Sequence, residues 1–506
     1  MNLTRRELLG AVGAAALLGV AAPAARAVTS TTTPASGPVG STDPAIEARD
    51  AKRRHAGATV VKATVTASAV KTTVGGRQVL TWAFSDRPGT GGIRAKVGDL
   101  IEATFVNKLT SPNTIHWHGI ALRNDMDGVP GLTQQVVAPN STFTYRFTVP
   151  DAGSYWFHPH MGLELDRGLY APLIVEDPND PVDVDVDATL MIDDWLDGYG
   201  RSAEQVLAEL KKSGGHSGHS MGSMGSMGSM GSMGSMGSMG SMAATLNGDV
   251  SYPLHLINGR GPNERETISA RPGQRVRFRL INAGSDTAYR VAIAQHRLTV
   301  THADGFPVTP VEVDNVVLGM GERYDVVVTA KSGAFAIVAV PQGKTDPAGE
   351  AVMRTSSSSS SPKAGARPST LKGRTIAYRD LQSTEPARLP TRKPTRTETI
   401  RLDAAPNGYV HGINGKSFPN SEPIPIHQGE RLRLKVLNTT MMFHPIHIHG
   451  HTFELVGSAR KDTVSVPAMG SAEFDIEADN PGQWMLHCHN TYHLEMGMAT
   501  VLSYRR

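Results

Sequence analysis

A pair of strand-like segments recurs three times along the chain, and this recurrence limits the possible folds more than any other feature. In the first segment a Gly-centred turn precedes an alternating strand, an Asn and a second strand: VGDLIEATFVNKLTSPNTIHWHGI (97–120), PGQRVRFRLINAGSDTAYRVAI (272–293) and QGERLRLKVLNTTMMFHPIHIHG (428–450). In the second segment a turn leads to an alternating strand and then an aromatic-bearing strand: VAPNSTFTYRFTVPDAGSYWFHPH (137–160), LGMGERYDVVVTAKSGAFAIVAV (318–340) and VPAMGSAEFDIEADNPGQWMLHCH (466–489). Alternation with a period of two predicts antiparallel sheets, so the expected fold class is all-β, with three sandwiches or barrels.

The repeats also predict the domain boundaries. The predicted β domains cover residues 57–178, 182–342 and 371–506, and a flexible Ser-rich linker is predicted at 355–370. Residues 28–56, rich in Thr, Ser, Pro and Ala, are predicted to form an extended N-terminal arm. A helix is expected within 201–215, where Ser202 and Gln205 match a capping box and Gly214 a stop.

The first 27 residues resemble a secretory signal peptide of the twin-arginine type. Arg5 and Arg6 precede a short apolar run over residues 8–22, and residues 25–27 match a cleavage site. The chain is therefore expected to be exported through the twin-arginine machinery to the periplasm, the cell envelope or the medium. The run is too short to favour a membrane anchor, so no stable membrane span is expected after processing. A formal net charge of +3 gives no case for nucleic-acid binding.

Eight histidines fall in four short motifs within the first and third repeats. They are His116, His118, His158, His160, His447, His449, His487 and His489. A single buried histidine is usually a hydrogen-bonded core residue, but alternate residues of a strand point to the same side, so each pair aims two imidazoles at one place. Eight imidazoles are too many for one metal ion and fit a cluster of about three. The aligned positions of the second repeat, residues 291–293 and 338–340, hold no ligand.

The chain has one cysteine, Cys488, and it lies between two of these histidines. If its two neighbours face the cluster, the Cys488 side chain must face the opposite way. There it would meet His444, His493 and Met498, and a thiolate, two imidazoles and a weak thioether form the ligand set of a blue-copper electron-transfer site. The cysteine would then connect that copper electronically to the cluster. Zinc is the rival metal, but zinc sites rarely use Met.

The motifs HWH, HPH, HPIHIH and HCHNTYHLEMGM together resemble the signature of the three-domain multicopper oxidases, a family that includes laccases and bacterial copper-tolerance oxidases. The resemblance covers essentially the whole mature chain. It implies three cupredoxin-like Greek-key β-sandwich domains and four copper ions, one of type 1, one of type 2 and two of type 3. It also implies an enzyme that couples four one-electron oxidations to the reduction of one dioxygen to two waters.

The same resemblance implies which copper each ligand binds. The type 2 copper would be bound by His116 and His447. One type 3 copper would be bound by His118, His158 and His489, and the other by His160, His449 and His487. The type 1 copper would be bound by His444, Cys488, His493 and Met498.

Reduction of dioxygen to water consumes four protons, so an acid must serve the cluster. Asp127, nine residues after His118, resembles the acid near the type 2 copper in relatives. The alternative is a turn-forming Asp before Gly128 with no catalytic role. Many bacterial members also carry a Glu directly after the last type 1 histidine. Here Leu494 takes that position and Glu495 follows, so the second proton donor stays open, with Glu495 as the candidate.

Residues 216–242 carry a Met at every third position, separated by Gly and Ser. The eight methionines are Met221, Met224, Met227, Met230, Met233, Met236, Met239 and Met242. Such a segment cannot form a core, so a disordered Met-rich insertion is predicted over 213–243. Thioethers are soft ligands suited to Cu(I), which predicts copper capture; repeat expansion in a loop is the alternative. Met441 and Met442 either hand Cu(I) electrons to the type 1 site or pack beside it.

These features predict an exported oxidase that converts toxic Cu(I) to Cu(II), uses dioxygen as electron acceptor and has some activity towards phenols. The first alternative is a laccase that acts mainly on phenols and aromatic amines. A wide cleft over His493 and His444 would favour the laccase, and a Met-covered one the cuprous oxidase. The non-enzymatic alternative is a copper buffer or chaperone, which would need the Met repeat but no cluster.

Overall fold

The computed structural model of the protein describes residues 37–214, 246–405 and 408–506. The predicted signal peptide, the first part of the predicted arm and the eight methionines of the repeat lie outside the described residues. Strands dominate the described part and form six sheets, two in each of three sandwiches. The prediction of an all-β fold is therefore confirmed. Within the described residues, no helix has the length and apolarity needed to cross a bilayer.

The first sandwich consists of two four-stranded sheets and is preceded by a helix. Its elements are α1 (Pro44–Arg53), β1 (Val60–Val74), β2 (Arg77–Ala83), β3 (Ile93–Lys96), β4 (Leu100–Asn107), β5 (His116–His118), β6 (Thr142–Thr148), β7 (Gly153–His158) and β8 (Ala171–Glu176). One sheet has the order β2-β1-β4-β6 and the other β3-β8-β7-β5. Burial alternates along β4, as expected for a strand with one face in the core.

Helix α1 corrects the prediction that residues 28–56 are extended throughout. Asp43 caps the helix, since its side chain accepts a hydrogen bond from the backbone N–H of Ala45 at 2.9 Å, and Pro44 occupies the first turn. Ile46 is buried, and Asp50 accepts a hydrogen bond from the N–H of Thr148 at 2.9 Å. The helix is thus fixed to the first sandwich.

The second sandwich consists of a six-stranded and a five-stranded sheet. Its elements are β9 (Val186–Trp195), α2 (Ala203–Ser213), β10 (Leu254–Ile257), β11 (Glu266–Ser269), β12 (Arg275–Asn282), β13 (Tyr289–Ile293), β14 (Leu298–Ala303), β15 (Phe306–Val313), β16 (Val316–Leu318), β17 (Arg323–Thr329), β18 (Ala334–Pro341) and β19 (Gly349–Arg354). The sheet orders are β10-β9-β12-β17-β14-β15 and β11-β19-β18-β13-β16. Because β19 pairs with β18 and β11, this sandwich extends to Arg354, beyond the predicted boundary at 342.

The helix predicted within 201–215 is confirmed as α2. Ser202 and Gln205 form the capping box, and Gly214 ends the helix in a left-handed conformation with a φ of 66°. Its buried face contacts Tyr409 and Tyr492 of the third sandwich. The helix therefore brings the start of the Met-rich insertion to that sandwich.

The segment 355–370, predicted to be a flexible linker, is bonded to the second sandwich. Gly365 donates its N–H to Glu350 at 2.6 Å, and Thr370 donates its hydroxyl to the carbonyl oxygen of Ile293 at 3.3 Å. The chain then runs along β15, where Thr309 donates to the carbonyl oxygen of Gln382 at 2.8 Å. The prediction of a free linker is therefore wrong, because backbone and side-chain hydrogen bonds hold the segment in place.

The third sandwich again pairs a six-stranded sheet with a five-stranded one. Its elements are β20 (Arg396–Ala404), β21 (His411–Ile413), β22 (Ile424–His427), β23 (Arg431–Asn438), β24 (His444–Ile448), β25 (Phe453–Leu455), β26 (Arg460–Lys461), β27 (Thr463–Val466), β28 (Ser471–Glu477), β29 (Gln483–Cys488), α3 (Thr491–Glu495) and β30 (Ala499–Arg505). The sheet orders are β21-β20-β23-β28-β25-β26 and β22-β30-β29-β24-β27. Short 3-10 helices lie at Asn124–Met126, Leu165–Arg167, Ser369–Lys372, Tyr378–Asp380 and Glu385–Ala387. The strands of this sandwich thus begin at Arg396 and not near 371.

Equivalent strand pairs carry the histidine motifs. In the first sandwich β5 pairs with β7, and in the third β24 pairs with β29. In the second sandwich β13 pairs with β18 in the same antiparallel manner, and these two strands contain no histidine. The repeat therefore supplies two sets of imidazoles and one set of apolar side chains on the same scaffold.

Candidate metal centres

Strands β5 and β7 bring the histidines of the first sandwich together. His116 lies opposite His158 in the strand register, and their ring centroids are 5.4 Å apart. His160, two residues beyond His158, has its ring centroid 5.7 Å from that of His116. Trp117, between His116 and His118, is fully buried against core aromatic side chains. The alternation of the strand thus sends the histidines to one side and Trp117 to the other.

Strands β24 and β29 do the same in the third sandwich. His447 lies opposite His487 in the register, and Nε2 of His449 is 3.0 Å from Nε2 of His487. Ile446 lies opposite Cys488, and Ile446 is part of the hydrophobic core. The Cys488 side chain is therefore on the other side of the strand from its histidine neighbours.

The two sets of histidines meet between the first and third sandwiches. The His116 ring stacks on the His449 ring at a centroid distance of 3.7 Å, and His118 stacks on His447 at 3.8 Å. Nδ1 of His118 is 3.1 Å from Nε2 of His489. All eight predicted cluster histidines thus lie in one group that spans two domains, and all except the half-buried His160 are buried.

The donor set of this group fits metal ions. Several buried ring nitrogens have no hydrogen-bond partner: Nε2 of His116, His158, His160 and His447, and Nδ1 of His489. Burial lowers the pKa of most of these imidazoles, namely His118, His158, His160, His447, His449, His487 and His489. Neutral imidazole is the form that binds metal, and an unpaired buried nitrogen is costly unless something ligates it. Triads such as His160, His449 and His487 keep their ligand atoms within 4.8 Å of one another.

The Cys488 side chain lies in a second site. Its Sγ atom is 3.6 Å from Nδ1 of His444 and 3.6 Å from Nδ1 of His493, and the two nitrogens are 3.0 Å apart. These three residues are completely buried, and so is Met498. The main chain of Met498 brackets the site, since its N–H donates to His493 and its carbonyl accepts from Cys488, each at 3.0 Å. A cysteine sulfur and two imidazoles thus converge, the donor set that blue-copper sites use with the cysteine as thiolate.

The structure places Asp127 at the cluster. Its Oδ2 atom is 2.9 Å from Nδ1 of His449, and its carbonyl oxygen is 3.0 Å from Nδ1 of His116. Burial raises the pKa of this carboxyl group. Glu495, by contrast, is the last residue of α3 and is partly exposed. Its role as a proton donor stays a prediction.

A second buried carboxylate at the cluster was not predicted. Oδ1 of Asp462 is 3.2 Å from Nε2 of His118, and the carbonyl oxygen of Asp462 is 3.0 Å from Nδ1 of His447. The available sequence signal is the charged pair Lys461–Asp462 within a strand-forming stretch, where charges are rare unless they are paired or functional. Both residues are completely buried.

Three residues beside the cysteine site were also missed. Nε2 of His493 is 3.0 Å from Oδ2 of Asp249, and Tyr409 donates its hydroxyl to the same oxygen at 2.6 Å. His411 stacks on His493 at a centroid distance of 4.2 Å. Burial, and to a smaller extent electrostatic repulsion from His493, lowers the pKa of His411 to about 2. Asp249 belongs to the second sandwich, so no local pattern in the third could indicate it.

The two predicted methionines near His444 lie in different environments. The Met441 side chain is 81% exposed, whereas Met442 is half-buried. Thr440, directly before Met441, has its Oγ1 atom 2.7 Å from Nε2 of His444. Met441 is therefore free to meet a ligand from solvent, and Met442 is partly committed to packing.

Comparisons with known proteins cover the whole described fold. Sequence models described as multicopper oxidase match residues 66–180, 189–358 and 386–506. Multicopper oxidase MmcO of Mycobacterium tuberculosis is 42% identical, over 99% of this chain and 97% of that protein. A copper resistance protein A homolog of Pseudomonas syringae pv. tomato is 28% identical, over 80% of this chain and 86% of that protein.

The fold also matches solved structures. The crystal structure of a laccase from Botrytis aclada has a TM-score of 0.69 and 24% sequence identity, and 88% of each chain is covered. The three matched sequence ranges contain every predicted copper ligand.

Proposed function

The chain belongs to the multicopper oxidase family, and from that premise we propose that it oxidises Cu(I) and passes the electrons to dioxygen. Its copper-binding oxidoreductase class follows from the family. The proposed overall reaction consumes four Cu(I), one dioxygen and four protons, and yields four Cu(II) and two waters. In an exported protein this reaction would remove toxic Cu(I), so the proposed role is copper detoxification, after export through the twin-arginine machinery.

The proposed cofactor set is four copper ions, which would supply one-electron redox chemistry. His444, Cys488, His493 and Met498 would hold the type 1 ion. His116 and His447 would hold the type 2 ion, and the type 3 ions would be held by the sets His118, His158, His489 and His160, His449, His487. The orphaned ring nitrogens described above support this assignment, because each needs a partner in the buried site.

One observation carries the proposal: three consecutive residues reach two different sites. His487 and His489 join the histidine cluster, while the Sγ atom of Cys488 between them lies 3.6 Å from each of two other imidazoles. The backbone of this tripeptide is therefore a covalent connection between an electron-accepting site and a cluster that can reduce dioxygen. A copper buffer or chaperone would have no use for such a connection.

The protein residues around the cluster would handle protons and exclude water. Asp127 is completely buried and contacts two imidazoles, His116 of the first sandwich and His449 of the third. Because burial raises its pKa, it is suited to hold a proton and donate it inside the cluster. Glu495 remains the candidate second donor.

Several features favour Cu(I) as the reductant. Met441, three residues before His444, exposes a soft thioether ligand, and Asp249 places a carboxylate against His493. The Met repeat ends seven residues before Asp249 in the sequence. We propose that Met221 to Met242 capture Cu(I) and that Met441, with Met442, passes its electron inward.

A laccase function is the alternative, supported by the similarity to laccases. To reduce the type 1 site, a phenol must contact the edge of one of its imidazoles, and this requires a broad exposed surface around that ring. Here His493 and His444 are both completely buried, and Asp249 and Thr440 cover their outer nitrogens. This arrangement favours a small ion that binds nearby over a bulky ring.

Oxygen uptake by the copper-loaded protein tests the proposal. Cu(I), supplied as its acetonitrile complex, and 2,6-dimethoxyphenol are compared as reductants at matched concentrations. We expect four Cu(I) consumed per dioxygen and a higher kcat/KM for Cu(I) than for the phenol. A higher kcat/KM for the phenol would establish the laccase alternative, and copper binding without oxygen uptake would establish the buffer.

A further inference from the structure

Two carboxylates hold the histidine cluster through related contacts, one from each ligand-bearing sandwich. The carbonyl oxygen of Asp127 accepts a hydrogen bond from Nδ1 of His116 at 3.0 Å, and that of Asp462 accepts one from Nδ1 of His447 at 3.0 Å. His116 and His447 begin the equivalent strand motifs of the two sandwiches. Each backbone contact leaves Nε2 as the unprotonated ring nitrogen.

The side chains of the same two carboxylates cross to the opposite sandwich. Asp127 reaches Nδ1 of His449 in the third sandwich at 2.9 Å, and Asp462 reaches Nε2 of His118 in the first sandwich at 3.2 Å. Each aspartate thus accepts through its backbone from a histidine of one sandwich and through its side chain from a histidine of the other. Asp462 is the structural counterpart of the predicted acid Asp127.

The two counterparts differ in their charge partners. Arg323 donates Nη1 to Oδ1 of Asp462 and Nη2 to Oδ2, both at 2.7 Å, and its Nε donates to the carbonyl oxygen of Ser154. These two guanidinium hydrogen bonds hold the Asp462 carboxylate in one orientation. No such arginine contacts Asp127 among the described residues.

Arg323 comes from the second sandwich, which supplies none of the eight cluster imidazoles. The turn that precedes it is also in contact with the cluster: a Cβ atom on Gly321 would lie 2.9 Å from ring atoms of both His118 and His489. Gly321 has a φ of 82°, so only glycine fits there without strain. The second sandwich, which supplies no cluster imidazole, thus packs the backbone of Gly321 and the guanidinium group of Arg323 against the cluster.

We propose that the Arg323–Asp462 pair is a positioning device for the copper cluster. The Asp462 carboxylate accepts from Nε2 of His118 and so presents His118 Nδ1 for copper, while its backbone carbonyl accepts from Nδ1 of His447 and presents His447 Nε2. Arg323 holds the carboxylate in the orientation that does this, because its planar fork binds both oxygens. The inference rests on the proposed four-copper function and assigns the second sandwich a direct part in it.

Copper titration of Asp462→Asn tests the positioning role, with the copper bound by the cluster and the blue type 1 absorption as readouts. The substitution alters the contact with His118, a proposed type 3 ligand, and leaves the backbone contact with His447 in place. We expect less cluster copper relative to the blue absorption and a cluster affinity lowered about 10–100-fold. Arg323→Lys keeps the charge but loses the fork, so a smaller loss of cluster copper is expected. This second variant keeps the test valid if the first does not fold.

The matched control is Asp325→Asn. Asp325 lies on β17, as Arg323 does, and forms a buried pair with Arg279 of β12 at 3.1 Å. It contacts no cluster imidazole among the described residues. Equal loss of cluster copper in the control, or wild-type cluster copper in both test variants, overturns the inference. A wild-type protein that binds copper only at the type 1 site overturns the proposed function and the inference with it.

Discussion

Oδ2 of Asp249 lies 3.0 Å from Nε2 of His493, and this contact joins the second sandwich to the cysteine site of the third. The carboxylate also accepts the Tyr409 hydroxyl, so it is held in place from two sides. Its position places a negative charge at the outer edge of a proposed type 1 ligand. A cation that delivers an electron would approach against that charge.

We expect Asp249→Asn to change the oxidation rates of cationic and neutral reductants differently. Loss of the negative charge should lower kcat/KM for Cu(I) about 10-fold, because the local attraction for a cation is lost. It should raise the type 1 reduction potential, because the oxidised site loses a nearby anion, and so leave the rate with a neutral phenol unchanged or higher. Steady-state oxygen uptake and a redox titration measure both effects.

The control for this prediction is Asp346→Asn. Asp346 bonds to Ser251 and Tyr252 in the same region and does not contact His493 among the described residues. A loss of Cu(I) activity in both variants, or equal losses with Cu(I) and phenol in Asp249→Asn, would contradict a charge effect at the type 1 site.

Cys488→Ser should abolish the blue absorption and turnover together. A serine hydroxyl at the same position cannot replace a thiolate as a soft copper ligand, and the electronic connection through the tripeptide is lost. The cluster histidines point away from this side chain, so the type 2 resonance should persist. Absorption and resonance spectra of one copper-loaded sample provide the measurement. Retained turnover with either reductant would refute the connection.

The side of the strand on which each cluster histidine lies could be predicted from sequence, because it is decided within a single strand. Alternation along a strand decides that His116 and His118 share a side and that Cys488 differs from its neighbours. No longer-range information is needed for those statements. The all-β fold followed for the same reason, since three copies of one alternating pattern report three similar units.

The supporting residues could not be predicted because they act across domain boundaries. Asp462 and Arg323 are 139 residues apart in sequence, and Asp249 is 244 residues from His493. No pattern within a short stretch of sequence links residues that are so far apart along the chain. The helix at 44–53 was missed for a different reason: the polar composition of the arm outweighed the Asp43–Pro44 start signal.

Asp127→Asn should lower kcat by about 10²–10⁴-fold while copper content stays near that of the wild type. The amide oxygen can still accept from His449, and the carbonyl that accepts from His116 is unchanged, so the ligands keep their orientation. Only the transferable proton is lost. Copper analysis and oxygen uptake on one preparation test this prediction, with Asp125→Asn on the same loop as control. A variant that loses copper in proportion to activity would indicate a structural role instead.

Deletion of residues 216–242 should raise the KM for Cu(I) and leave the phenol rate unchanged. The thioethers are proposed to concentrate Cu(I) near the type 1 site. A higher local concentration raises the rate at low Cu(I) and has no effect once Cu(I) saturates the enzyme. Substitution of the eight methionines by Ser at constant length separates the thioethers from the length of the segment. Oxygen uptake over a range of Cu(I) concentrations is the measurement. Equal KM values in wild type and both variants would remove the capture role.

The last prediction concerns Glu164, whose pKa burial raises to about 7. Its two oxygens accept hydrogen bonds from Ser111 at 3.0 Å and Asn113 at 2.6 Å, which joins the loops beside two ligand strands. A carboxyl group with a raised pKa in the folded state binds a proton there more tightly than in the unfolded chain. Its contribution to stability is therefore full at acidic pH and falls as pH rises from about 4.5 to about 7, by about 3 kcal/mol at most.

Glu164→Gln cannot ionise, so this fall should be missing from the variant. The melting temperature of Glu164→Gln relative to the wild type should increase between pH 5 and pH 7, and the control Glu204→Gln, an exposed neighbour on α2, should show no such trend. Scanning calorimetry of the two variants and the wild type at several pH values measures it. A difference between Glu164→Gln and the wild type that is constant with pH would mean that Glu164 is already ionised throughout this interval in the folded protein. In that case the hydrogen bonds from Ser111 and Asn113 would stabilise the carboxylate more than burial destabilises it.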